Sequence, residues 1–184
     1  MNIQDSRNRI DYEAKQRHLA LDYFKNKKNC INFKNINPKE YTVEQLIKLF
    51  KSIPDYIECV YVIKPSSKYK ISLGDWVRHD KVCSCEDTLT PRRKKNQEEA
   101  HNLYIGSSLS PFKRIIQHFT SHSIKKNNTL GTKHKGTCLR LKEWCQTPLD
   151  ISIYQLPDVG KDAVQFIERE LKDNRAVSLG RKEN

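Results

Sequence analysis

Long apolar runs are missing from this 184-residue chain, and no stretch approaches the roughly 18 consecutive apolar residues of a membrane span. Met1-Asn2-Ile3-Gln4-Asp5 lacks the charged and apolar regions of a secretory signal. Together these absences predict a cytoplasmic protein with no membrane partner. Acid is also scarce. The 22 Asp and Glu stand against 34 Lys and Arg, a formal net charge of +12, which argues for a polyanionic partner, nucleic acid before any other. There is no Cys-x-x-Cys among the six cysteines, and Cys83-Ser84-Cys85 is a poor chelate. Reduced thiols in a reducing compartment are therefore expected. A mixed zinc site of His79, Cys83, Cys85 and His101 stays open as the signature of a small zinc-dependent binding protein. No internal repeat is present.

What is there begins with a short apolar run that ends in a Gly-Ser turn, Leu103-Tyr104-Ile105-Gly106-Ser107-Ser108. Ser107 to Ser110 is expected to form that turn and to cap a helix over Pro111 to His122, with Pro111 near the first helical position. In that helix Phe112, Ile115, Ile116 and Phe119 follow the spacing of a core-facing stripe. Arg114 and His118 are i, i+4 partners on another face. A permanently charged guanidinium one turn from an imidazole that titrates near neutrality suits an anion undergoing reaction, such as a phosphodiester.

Cys59-Val60-Tyr61-Val62-Ile63 reads as a buried strand with a tyrosine at its centre, and Leu149 to Tyr154 alternates as a half-exposed one. With Leu103 to Ile105 they predict an α+β domain built on a three-stranded antiparallel sheet flanked by helices. Residues 1–57 form a helical extension, with a polar helix over about Asp5 to Lys28, a turn through Asn35-Ile36-Asn37-Pro38, and a capping box from Thr42 to Gln45 opening a short helix. Residues 58–184 form the main domain, and 64–102 are an insertion between its first two strands. Within that insertion Ile71 to Val77 suggests a strand, while the charge runs Arg78-His79-Asp80-Lys81 and Arg92-Arg93-Lys94-Lys95 read as loops.

Between Phe112 and Trp144 lie eight basic residues and a single acid, Glu143. Lys113, Lys125, Lys126, Lys133, Lys135 and Arg140, together with Arg92 and Arg93, are the candidate nucleic-acid contacts. Trp144 reads as core. The last helix packs Ala163, Val164, Ile167 and Leu171 inward, and by periodicity Glu170 is slightly better placed than Glu168 to face in with them.

Taken in order, Val60-Tyr61-Val62, Tyr104-Ile105-Gly106, Arg114, His118 and Glu168 resemble the GIY-YIG nuclease family. The first tripeptide keeps its tyrosine and lacks its glycine, the two tripeptides lie unusually far apart, and Asn184 is the nearest stand-in for the family's last motif, without its proline. The resemblance implies hydrolysis of phosphodiester bonds in double-stranded DNA, with Tyr61, Tyr104, Arg114, His118 and Glu168 as the catalytic set. Tyr61 is then the proton acceptor, and Glu168 the single protein ligand of one Mg²⁺ or Mn²⁺ ion. A catalytic domain with a short helical extension and two basic segments looks more like a restriction-type enzyme than a repair subunit. A nucleic-acid-binding protein of the same fold without cleavage is the alternative. The oligomeric state, monomer or homodimer, is open.

Overall fold

A computed structural model describes residues 3–26, 29–67, 69–84, 90–93, 101–125, 129–134, 136–174 and 177–180. Its centre is a four-stranded antiparallel sheet formed by β1 (Cys30–Ile36), β2 (Cys59–Pro65), β4 (Tyr104–Ser108) and β7 (Leu149–Gln155), in the order β1-β7-β2-β4. The sheet is thus one strand larger than expected, because the N-terminal extension is not purely helical. Its segment Cys30–Ile36 pairs along β7, with Ile31 opposite Ile153 and Phe33 opposite Ile151.

The two faces of the sheet carry separate cores. Tyr61 and Ile63 of β2 point to one face, where α4 (Pro111–Thr120) brings Phe112, Ile115, Ile116 and Phe119. These four side chains are almost fully buried, each contributing roughly 1.5–3 kcal/mol of apolar transfer. Val60, Val62 and Ile105 point to the other face and meet Ala163, Val164, Ile167 and Leu171 of α6 (Lys161–Asn174). The long helix α1 (Ile3–Asn26) lies on this second side, where the Gln16 amide accepts from the Gly160 N–H and Phe24 packs on Tyr154 at 4.5 Å between ring centres. The predicted capping box is present, with Thr42 and Gln45 exchanging hydrogen bonds at the start of α2 (Val43–Leu49).

The insertion departs from expectation. Residues expected as a strand and a charged loop form one helix, α3 (Leu73–Ser84), whose first turn is closed by the Ser72 hydroxyl accepting from the Asp75 N–H at 3.0 Å. Asp75 and His79, one turn apart, are buried on it. Burial alone would raise the Asp75 pKa, but hydrogen bonds from Thr147, the Gln146 N–H and Arg78 outweigh it and hold the carboxyl below its usual range. Trp76 stacks on the buried Trp144 of the short helix α5 (Leu141–Trp144) at 6.0 Å. The polar groups buried on this helix are stable because Asp75 accepts from Thr147, the Gln146 N–H and Arg78, and His79 meets the Pro91 carbonyl oxygen. Downstream, the basic segment between Phe112 and Trp144 contains a short hairpin of β5 (His122–Ile124) and β6 (Leu130–Lys133). A two-residue strand β3 (Arg92–Arg93) pairs with β8 (Leu179–Gly180). Among the described residues no helix is long and apolar enough to cross a membrane.

Candidate active site

Pairing register determines which side chains meet. Tyr61 lies opposite Gly106 across the β2–β4 ladder, and Tyr104 lies opposite Ile63. The two tyrosines are therefore diagonal neighbours on one face, with ring centres 6.2 Å apart and planes inclined by 28°. From the adjacent helix α4, His118 enters between them at 5.5 Å from the Tyr61 ring and 5.1 Å from the Tyr104 ring.

His118 is held at both nitrogens. The Leu139 N–H donates to Nδ1 at 3.2 Å, and Nε2 lies 2.8 Å from the Tyr61 hydroxyl. Burial, with the charges of Arg114 and His134 adding to it, drives the His118 pKa well below its usual value, so the ring is neutral. A neutral ring that accepts at Nδ1 carries its proton on Nε2, and Nε2 must donate to the Tyr61 oxygen. Tyr61 is thereby an acceptor from the interior, and its own hydrogen is left for another partner.

Burial, with Tyr104 beside it, pushes the Tyr61 phenol well above its ordinary pKa, and the nearby Arg114 guanidinium opposes that shift. Arg114 feels the reciprocal effect: burial would lower its pKa, but the two tyrosine hydroxyls outweigh this and raise it. Its Nη1 also donates to the Gln117 side chain at 3.3 Å.

From the opposite face of the sheet α6 contributes Glu168. One of its oxygens accepts from the Ser107 hydroxyl and the other from the Lys172 ammonium. Ser107 reaches it because it belongs to β4 and points to the α6 face, not to a capping turn; Ser110, the residue before α4, makes no side-chain cap either. The site thus wraps around β4, an edge strand of the sheet. Tyr61, Tyr104, Gly106 and Arg114 on one side and Ser107, Gln165, Glu168, Arg169 and Lys172 on the other line one cleft of about 430 Å³.

No family model matches the chain, and no curated protein or solved structure matches it either. Among the described residues the cleft is lined by three cationic side chains, Arg114, Arg169 and Lys172, and one carboxylate, Glu168. Such a lining favours an anionic ligand.

Four of the five expected catalytic residues, Tyr61, Tyr104, Arg114 and Glu168, line this cleft, and His118 supports them from behind. Glu168, not Glu170, is the carboxylate that lines it. Sequence reasoning missed Lys172, although its position one turn after Glu168 was a usable signal. It also assigned Ser107 to a turn.

The expected nucleic-acid contacts divide. Lys113, Lys125 and Lys133 are exposed. Arg140 is not a surface residue: it is 2% exposed, adopts a left-handed backbone with φ of 54°, and places Nη1 3.3 Å from Glu143. Arg92 and Arg93 sit in β3, and nothing is described of their side chains. Lys126, Lys135, Cys85 and Asn184 lie outside the described residues. Of the zinc candidates, His79 is buried with Nε2 3.0 Å from the Pro91 carbonyl oxygen and Cys83 near its ring, while His101 is exposed. Among the described residues no three His, Cys, Asp or Glu side chains cluster as metal ligands.

Proposed function

We propose that this chain is an endonuclease that hydrolyses phosphodiester bonds of double-stranded DNA with the help of a divalent cation, in the manner that its resemblance to GIY-YIG nucleases implies, and that it acts as a site-specific, restriction-type enzyme. The observation that carries this reading is the convergence of Tyr61, Tyr104, Arg114, His118 and Glu168, drawn from two strands and two helices, on one cationic cleft. Tyr61, the segment from Tyr104 to His118, and Glu168 are far apart in sequence and have no local reason to meet, and together the five side chains match what phosphodiester hydrolysis requires.

The donor set fits a hard cation. Among the described residues Glu168 is the one carboxylate lining the cleft, and one carboxylate completed by water and phosphate oxygens is an ordinary arrangement for Mg²⁺ or Mn²⁺. Such an ion supplies charge compensation at the phosphate and the leaving oxygen. The rest falls to the protein. Arg114 forks onto the non-bridging phosphate oxygens. Tyr61 receives the proton of the attacking water at its Oη once its own phenolic proton has passed to solvent through the cleft; burial and Tyr104 keep the phenol protonated in the free protein, and the His118 N–H and the Arg114 charge favour the negative oxygen that the transfer requires. Tyr104, stacked against Tyr61, closes the wall beside the phosphate and leaves Tyr61 a single orientation. Lys113, Lys125 and Lys133 lie outside the cleft and contact the flanking backbone of the duplex.

The test is incubation of the purified protein with phage-sized duplex DNA and Mg²⁺. Discrete fragments are expected from the wild type and none from Glu168→Gln, which removes the carboxylate charge and little volume. Absence of cleavage with both Mg²⁺ and Mn²⁺, or full cleavage by Glu168→Gln, overturns the reading.

A further inference from the structure

Lys172 has no part in the chemistry just described, yet its ammonium is bonded to the carboxylate oxygen of Glu168 that Ser107 leaves free. A Glu followed four residues later by Lys is a common pair on a solvated helix face. Three observations set this one apart. Glu168 is only 20% exposed and is tied to another element of the fold through Ser107. The Lys172 Nζ lies 6.0 Å from the centre of the Tyr104 ring, so the ammonium sits inside the cleft and against one of its tyrosines. The two groups bound to the carboxylate also differ in kind. The Ser107 hydroxyl is neutral and can remain when a metal arrives, whereas an ammonium and a divalent cation on one carboxylate repel each other.

We propose that Lys172 is a positioning residue that occupies the cation-binding oxygen of Glu168 in the free protein, gives it up to a divalent cation, and moves to a phosphate of the bound nucleic acid. This rests on the nuclease reading above and adds to it a coupling between metal and substrate. Lysine suits the exchange, because its charge sits at the end of a flexible four-carbon stem and needs no fixed planar partner. Without nucleic acid the metal must compete with the Lys172 ammonium for Glu168. With a phosphate in the cleft the ammonium has a second site, and the cation binds more tightly. By linkage, the metal must then tighten nucleic-acid binding by the same factor.

The experiment measures Mn²⁺ binding by electron paramagnetic resonance, with and without a short DNA duplex, in a Tyr61→Phe background that prevents cleavage. Lys172→Met is compared with the parent, and Lys172→Gln serves as a second neutral variant with a polar tip; metal-free melting curves confirm that each is folded. Without DNA both variants should bind Mn²⁺ about two- to fivefold more tightly, the range expected for losing one partly exposed ionic competitor. The gain in Mn²⁺ affinity on adding DNA should be smaller in both than in the parent. Unchanged or weaker Mn²⁺ binding by the two variants without DNA overturns the proposal. So does a parent whose Mn²⁺ affinity ignores the duplex. Neither result touches cleavage by the wild type, which is scored separately, so the exchange can fail while the nuclease reading stands.

Discussion

Gly106 faces Tyr61 across the β2–β4 ladder, and the tyrosine ring lies where a side chain at 106 would begin. A Cβ built there would come within 2.6 Å of the Tyr61 Cζ and 2.9 Å of the Tyr104 Cε1, closer than non-bonded carbons approach. The glycine is required by this contact and not by its backbone angles, since no glycine among the described residues has positive φ.

Gly106→Ala should therefore act on both tyrosines at once. The expected result is a stability loss of about 1–3 kcal/mol, as for overpacking elsewhere, together with a fall in cleavage of at least tenfold that persists at temperatures where the variant is fully folded. Urea unfolding and single-turnover cleavage check the two parts. An alanine variant with wild-type turnover would mean that the tyrosine pair tolerates displacement.

Stability should depend on pH through His118. Its pKa is held well below the ordinary 6.5, first by burial and then by Arg114 and His134. The unfolded chain therefore takes up a proton that the folded chain refuses, so this contribution is intact above pH 6.5 and is lost as pH falls from 6.5 toward the folded-state value. The slope from this group is at most about 1.4 kcal/mol per pH unit. Urea midpoints at pH 7.5 and 5.5 should differ more for wild type than for His118→Gln. His134, also shifted down by burial and by Arg114 and Arg140, leaves a smaller slope in the variant.

Arg114→Ala should lower the cleavage rate by roughly 10²-fold, the usual cost of one transition-state charge contact. Arg114→Lys should recover little, because an ammonium cannot supply the bidentate fork. Turnover in the lysine variant close to wild type would reduce Arg114 to a simple counter-charge for Tyr61.

Lys125 and Lys133, exposed at the hairpin of β5 and β6, should serve binding alone. Replacing both by alanine in a Glu168→Gln background should reduce the slope of log affinity against log salt by about two units. In the active protein the same pair should leave turnover at saturating DNA unchanged. An unaltered salt slope would place the duplex on another face.

Legibility in the sequence followed the strength of the local signal. Helix α4 could be read because Phe112, Ile115, Ile116 and Phe119 carry both its period and its burial. Strand β1 escaped because it is an edge strand: Ile31 and Phe33 are only partly buried, and the turn residues from Asn35 onward dominate its surroundings. Helix α3 was hidden by chemistry that hydrophobic periodicity cannot detect. Its buried Asp75 is satisfied by Thr147 and by the Gln146 N–H, groups more than seventy residues away in sequence. Density of positive charge marked Arg140 for the surface, but the chain turns it inward beside Glu143. At the cleft, i, i+4 spacing paired Arg114 with His118, and the family resemblance singled out the two tyrosines and Glu168. Neither could show that Ser107 and Glu168 meet, because that contact joins a strand to a helix sixty-one positions later.

The cleft lies on the rim of the sheet, where among the described residues β4 is the edge strand. A pocket sunk into the middle of a sheet admits a small molecule and turns away a long, stiff one. Reactive groups gathered around a rim reverse that preference. A polymer can lie across the rim with one of its linkages against Tyr61 and Glu168 while the rest runs past in solvent, without its ends ever having to enter the protein.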